Sequence, residues 1–80
     1  MNEIALQIIE IGKLIGKKVF VKRYDSDNGK IYKDNEVPQI FTENDFEYYA
    51  YSILAGVIEL IDINYQPKFG KYFLVTFKDL

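Results

Sequence analysis

The chain contains no cysteine and no histidine, and this limits how it can be stabilised more than any other feature of its sequence. Without cysteine no disulfide forms within the chain, and without either residue an ordinary structural zinc site is excluded. A chain of 80 residues lies near the lower size limit for folding without such cross-links. Stability must therefore come from apolar burial or from association with another chain. Because 49% of the residues are hydrophobic, we expect one folded domain over residues 1–80.

The N-terminal segment has the hydrophobic spacing of a helix. Isoleucines at positions 4, 8, 11 and 15 recur on one helical face, which predicts a helix over 2–15. Asn2 is suited to the N-cap, and Gly16 is a natural residue to follow the last turn.

The next segment predicts a β-hairpin. From Lys17 to Tyr24 the apolar period changes to two, and β-branched and aromatic residues dominate. The dipeptide Asn28-Gly29 predicts a type I′ turn, in which both central residues have positive φ. Lys30–Lys33 then forms the returning strand, and residues 34–38 form a loop.

Segment 42–55 fits two patterns. Residues 46, 49, 50, 53 and 54 lie on one face of a helix, and Thr42 is a suitable N-cap. The same segment also alternates in polarity, and its tyrosines favour a strand. We favour a helix that ends before Gly56.

The last part of the chain predicts a second hairpin. Val57–Tyr65 and Lys71–Lys78 read as antiparallel strands, with Ile61, Ile63 and Tyr65 on the opposite face from Ile58 and Leu60. The predicted fold class is therefore α+β, a small antiparallel sheet of about four strands in two hairpins with two helices on one face. The alternative is an SH3-like β-barrel with an N-terminal helix, to whose strand pattern the segments 16–21, 56–61 and 72–77 are similar.

The inventory of side chains argues against an enzyme. The commonest general base and the thiol nucleophile are both missing. Three carboxylates in one short segment, Glu43, Asp45 and Glu47, are ordinary for the first turns of a helix because they complement its dipole. We therefore expect no catalytic residues and no cofactor.

A calcium loop is the metal site that the sequence comes closest to. Asp25, Asp27 and Glu36 stand at positions 1, 3 and 12 of an EF-hand count. The glycine of that motif belongs at position 6, whereas Gly29 is at position 5, and a strand precedes the loop instead of a helix. We therefore expect no metal here.

An acidic, tyrosine-bearing surface is the expected functional site. It consists of Glu43, Asp45, Glu47, Tyr48 and Tyr51. Tyrosine offers a large contact area at a small loss of conformational entropy, which suits a protein interface. We expect a non-enzymatic protein that binds another protein, and a phage or mobile-element accessory protein that inhibits a host nucleic-acid enzyme fits these properties. Apolar residues on both faces of the last two strands also suggest a homodimer.

The alternative function is a single-stranded nucleic-acid-binding module built from the basic and aromatic hairpin 17–32. Its candidate residues are Lys17, Lys18, Phe20, Lys22, Tyr24, Lys30 and Tyr32. Such residues on a sheet face contact phosphates and stack on unpaired bases. The net charge of −2 favours a protein partner over nucleic acid.

No stretch of the sequence approaches the length of a membrane span, which needs roughly 20 apolar residues. The N-terminus lacks a basic region before an apolar run, so we expect no signal peptide. The absence of cysteine fits a reducing compartment. We expect a cytoplasmic protein with no membrane partner.

Overall fold

A computed structural model describes residues 2–68 and 70–80, and in them two helices and five strands. In chain order these are α1 (Glu3–Gly12), β1 (Lys18–Asp25), β2 (Lys30–Lys33), β3 (Gln39–Ile40), α2 (Glu43–Leu54), β4 (Ile58–Gln66) and β5 (Tyr72–Asp79). The predicted α+β class is confirmed. Neither helix of the described residues is long and apolar enough to cross a membrane.

The five strands form one open sheet. The long strands lie in the order β2-β1-β5-β4, and both predicted hairpins are present as antiparallel pairs. At the centre β1 and β5 run parallel, a pairing that joins the two hairpins. The short strand β3 pairs with the first two residues of β1. Because the sheet does not close on itself, the alternative SH3-like barrel is not formed.

Both helices pack on one face of this sheet, and the core lies between the two layers. Alternate residues of the strands and one side of each helix supply it: Ile11, Leu14, Val19, Val21, Phe41, Tyr49, Ala50, Ile53, Ile58, Val75 and Phe77. Phe77 is fully buried, and its ring stacks on that of Tyr49 with 4.9 Å between the centroids. The predicted arrangement, with two helices on one face, therefore holds.

Helix α1 is shorter than the sequence predicted. Asn2 caps it as expected, with its Oδ1 accepting from the amide of Ala5 at 2.7 Å. It ends at Gly12, however, where the ring of Phe46 in α2 packs so closely that a β-carbon would lie 3.3 Å from it. The chain then turns, so Leu14 enters the core in place of Ile15.

Helix α2 begins with a capping box. The amide of Asp45 donates to Thr42 Oγ1 at 3.1 Å, and the Asp45 carboxylate accepts from the Thr42 amide at 2.9 Å. This satisfies two backbone donors at the helix start and favours helix over strand in this segment. Tyr49, Ala50 and Ile53 are buried as predicted. Leu54 is 58% exposed, so its predicted place in the core was wrong.

The first hairpin turn differs from the predicted type I′ turn. Gly29 has φ of +69°, but Asn28 is not among the residues with positive φ. The loop contains four residues, 26–29, since Asp25 pairs directly with Lys30. Its backbone is held by the side chain of Asn28, which accepts from the amide of Lys30, and by Asp25, which accepts from that of Asp27.

Strand β4 contains a bulge that sequence alternation missed. The pairing with β5 shifts between Leu60 and Asp62, so one residue, Ile61, is inserted without a partner. As a result Leu60 and Ile63 both pack against the core, although the sequence placed them on opposite faces. Ile61 is 52% exposed.

Asn35 completes the outer edge of β1 between β2 and β3. Its Oδ1 accepts from the amide of Val21 at 3.1 Å, and its Nδ2 donates to the carbonyl of Val19 at 3.3 Å. The side-chain amide thus takes the place that a peptide group of a neighbouring strand would occupy. It also fixes the preceding residue, Asp34, which contacts the core side of the sheet.

Candidate functional site

One face of the sheet carries no helix. In β1 the residues Val19 and Val21 are buried beneath the helices, and strand alternation turns their neighbours to the other side. The residues that point away from the helices form what we term the open face. By register they are Lys18, Phe20, Lys22 and Tyr24 in β1, Ile31 and Lys33 in β2, Tyr72, Leu74, Thr76 and Lys78 in β5, and Glu59, Asp62, Asn64 and Gln66 in β4.

Two aromatic rings occupy the middle of the open face. Phe20 in β1 and Tyr72 in β5 lie with their ring centroids 6.0 Å apart at an interplanar angle of 43°. The ammonium groups of Lys22 and Lys33 are each 5.9 Å from the centroid of Phe20. At this distance a cation is attracted to the ring face. The open face therefore combines π-surfaces with mobile positive charges.

The charges of the protein are divided between its two layers. Helices α1 and α2 contain five carboxylates, Glu3, Glu10, Glu43, Asp45 and Glu47, and no lysine or arginine. The open face carries four lysines, at positions 18, 22, 33 and 78, and two carboxylates, both on β4. The net charge of −2 thus conceals an acidic helical layer and a basic sheet face. A partner approaching either side meets a local field that the total charge does not describe.

The structure divides the seven residues predicted for nucleic-acid binding. Lys18, Phe20, Lys22 and Tyr24 lie together on the open face, as alternation predicted. The partners of β1 in β2 show that Lys30 and Tyr32 belong to the opposite face, because they pair with Asp25 and Arg23 on the helix side. Lys17 precedes β1, and its backbone contacts Leu14 and Phe41.

Sequence reasoning missed the part of the open face that β5 and the end of β2 contribute. Lys33 stands opposite Lys22, while Leu74 and Thr76 stand beside Phe20 and Lys22 across the parallel pair. The alternation within 71–78 was visible in the sequence. The sequence did not show that β5 lies next to β1, because the paired residues are more than fifty positions apart.

The outer side of α2 presents a second candidate surface. Residues 43, 47, 51 and 54 follow one another at helical spacing along one exposed side of α2, beside the buried residues. We term these four exposed residues, Glu43, Glu47, Tyr51 and Leu54, the α2 stripe. Tyr51 is 68% exposed and Leu54 58%. The stripe therefore has an acidic half and an apolar half.

Two residues of the predicted acidic surface have partners within the chain. Asp45 accepts hydrogen bonds from the amide and the hydroxyl of Thr42, both at 2.9 Å. The Tyr48 hydroxyl accepts from Arg23 Nη2 at 3.3 Å, and its ring meets that of Tyr49 edge-on with 5.0 Å between centroids. Tyr48 still exposes 58% of its surface. It lies beside the α2 stripe and at the same time contacts Arg23 and Tyr49.

A polar network connects α2 to the sheet beneath it. The Tyr49 hydroxyl donates to Asp34 Oδ2 at 2.7 Å, and Arg23 Nε donates to the same oxygen at 3.1 Å. Burial, together with this hydrogen bond and the charge of Asp34, raises the pKa of Tyr49 far above its ordinary value. For Arg23, burial alone would lower the pKa. Interactions with its neighbours, of which the charge of Asp34 is the strongest, outweigh burial and raise the pKa above its ordinary value. Tyr49 therefore remains a protonated donor, which is a structural role.

Two cavities of the described residues and the distribution of carboxylates are the remaining candidates for a site. A small cavity of about 110 Å³ borders this network, with Asp34, Asn35 and Asp45 among its lining residues. The second cavity, of about 360 Å³, lies between α1 and β4 and is lined by Leu6, Gln7, Glu10 and residues 60–63. Within residues 2–68 and 70–80, no three His, Cys, Asp or Glu residues lie close enough to hold a metal ion.

The open face and the α2 stripe are two surfaces of the described residues on which aromatic or apolar side chains lie beside charged groups. Each has to be interpreted from its own geometry. Among protein-family models, curated proteins and solved structures, none matches this chain.

Proposed function

We propose that this protein binds single-stranded nucleic acid on its open face. The observation that carries the proposal is the pair of rings, Phe20 and Tyr72, with the ammonium groups of two lysines over Phe20, on the face of the described sheet that no helix covers. Unpaired bases stack on exposed aromatic rings, and flexible lysines contact the phosphates between them. Other sheet-based modules recognise single strands by the same chemistry.

The distribution of charge supports a single strand over a duplex. A protein that reads duplex DNA usually inserts a basic helix or ribbon into a groove. Here both helices are acidic and would be repelled by the phosphates. Rings on the face of a sheet can stack on bases only when the bases are unpaired.

Anisotropy of labelled dodecamers of thymidylate and uridylate tests the proposal. If four lysines contact phosphates, a plot of log affinity against log salt should have a slope of about −3. Replacing the stacking ring by Phe20→Leu should weaken binding about tenfold, which is within the range for one lost base–aromatic stack.

The first hairpin supplies matched controls for this experiment. Lys22 and Lys30 lie on opposite faces of the hairpin, as do Phe20 and Tyr32. Lys22→Glu should therefore weaken binding strongly, whereas Lys30→Glu and Tyr32→Leu should have small effects. Equal losses from both faces, or no binding at low salt, would refute the proposal.

Protein binding through α2 is a second candidate function. It is favoured by the exposure of Tyr51 and Leu54 beside two carboxylates on the α2 stripe. Such a surface suits a basic partner, for example the nucleic-acid-binding surface of an enzyme. Tyr51→Ala should leave folding intact and abolish capture of a partner, with Tyr24→Ala on the open face as control. Unchanged capture would eliminate this surface.

A further inference from the structure

The α2 stripe belongs to the helical layer and the open face to the other side of the sheet, and the two carry complementary features. The stripe runs from Glu43 and Glu47 to Tyr51 and Leu54, so it is acidic at one end and apolar at the other. On the open face Lys22 and Lys33 lie near Phe20. The apolar residues Tyr24 and Ile31 lie together at the turn end of the hairpin. Each surface thus has one charged and one apolar half, with charges of opposite sign.

The two surfaces also match in size. The stripe spans the 12 residues of α2, and its first and last residues are about 16 Å apart along the helix axis. The part of β1 from Lys18 to Tyr24 spans about 20 Å at the rise of a strand. Ile31 is 63% exposed and Tyr24 is 37% exposed, so apolar side chains are available to cover Tyr51 and Leu54. Contact would bury apolar area on both sides and pair carboxylates with lysines.

We infer that the α2 stripe of a second copy of this chain occupies the open face and competes there with nucleic acid. The competition rests on the proposed function, because the same lysines would bind phosphates of the nucleic acid in one state and carboxylates of the second copy in the other. Since one copy contributes its helix and the next its sheet, the contact is heterologous and can extend from molecule to molecule. A parallel isologous contact between two α2 stripes would instead place Glu43 and Glu47 against like charges, and an antiparallel one would cover these carboxylates with apolar side chains and leave them unpaired.

Sedimentation velocity over a range of protein concentrations measures this self-association. The average mass should rise above the 9.4 kDa of one chain as concentration increases, and it should fall when salt is added. The reversal Glu43→Lys with Glu47→Lys should keep the protein at the mass of one chain. The control reversal Asp27→Lys with Glu36→Lys changes the net charge equally at loop positions and should leave association intact. An unchanged mass for the wild type, or equal effects of the two reversals, would overturn the inference.

Charge exchange tests the contact directly. A second variant, Lys22→Glu with Lys33→Glu, should also fail to self-associate. Mixed with the α2 reversal variant, it should associate in alternating order, because the stripe of each variant then meets an open face of opposite charge on the other. A mixture in which both variants remain separate would show that another surface is responsible and would overturn the inference.

The competition has its own measurement. Addition of the thymidylate dodecamer to the wild type at high concentration should return the protein to one copy per oligonucleotide. The α2 reversal variant should bind the dodecamer without the loss of apparent affinity that self-association causes at high concentration. If the dodecamer binds but leaves the self-associated mass unchanged, only the competition is refuted. If neither the wild type nor the α2 reversal variant binds the dodecamer, the proposed function itself is refuted.

Discussion

The two faces of the sheet are built from the same strands but have different chemistry. On the helix side, Val19, Val21, Val75 and Phe77 are each at most 4% exposed. On the open face their immediate neighbours are a mixture of aromatic rings, lysines and polar groups, and many of them are partly exposed. Alternation along β1 and β5 produces both faces at once.

This difference indicates what each face is for. A permanently covered face is uniformly apolar, because every buried polar group needs a partner. A face that only meets water has little use for adjacent rings such as Phe20 and Tyr72. Rings interleaved with lysines allow a partner to be bound and released, since the lysines keep the empty face solvated. The comparison therefore predicts that stability depends on one face and binding on the other.

The largest effect expected from this comparison is a loss of stability on one side of β5 only. Phe77→Ala removes a fully buried ring and should lower the free energy of unfolding by about 3–5 kcal/mol. Tyr72→Ala, on the open face of the same strand, should lower it by about 1 kcal/mol or less. Urea denaturation of both variants measures the difference. Similar losses would mean that the open face is also part of the core.

Much of this fold could be predicted from the sequence because its signals are local. Thr42 caps α2 as expected, although the reciprocal bond from Asp45 was not predicted, and the period of two along β1 correctly placed Phe20, Lys22 and Tyr24 on one face. Each of these features depends on residues only a few positions apart. Physical preferences within such a window are strong enough to be read from one sequence.

The features that escaped prediction depend on tertiary contacts. Alternation shows which residues of a strand share a face, but it does not show which strand lies beside it. For this reason the parallel pairing of β1 with β5, and with it the place of Tyr72, could not be foreseen. The bulge at Ile61 similarly changes which side of the sheet the residues after it point to. A single inserted residue has no distinct mark in the hydrophobic pattern.

The second prediction concerns the edge of β1, where the covered face is completed by a side chain. Asn35→Ala removes the acceptor of the Val21 amide and leaves that partly buried group without its partner. The free energy of unfolding should fall by about 1–3 kcal/mol, the range for an unsatisfied buried donor. Hydrogen exchange at the Val21 amide should accelerate as well. Asn44→Ala, at an exposed position of α2, is the matched control, and an equal loss there would contradict this role of Asn35.

The smallest expected effect is a difference at high pH, where a buried tyrosine of the covered face influences stability and a tyrosine of the open face does not. Burial and the hydrogen bond to Asp34 raise the pKa of Tyr49 in the folded protein above its ordinary value of 10.0. The stabilisation is therefore fully present below that value, and it is lost as the pH rises further, because the unfolded chain releases the proton while the folded one retains it. The free energy of unfolding should fall by up to about 1.4 kcal/mol per pH unit in this range. Tyr49→Phe should remove this part of the fall, whereas Tyr24→Phe on the open face should leave it intact. Denaturation measured from neutral to alkaline pH distinguishes the two variants, and an identical pH dependence in both would contradict the assignment to Tyr49.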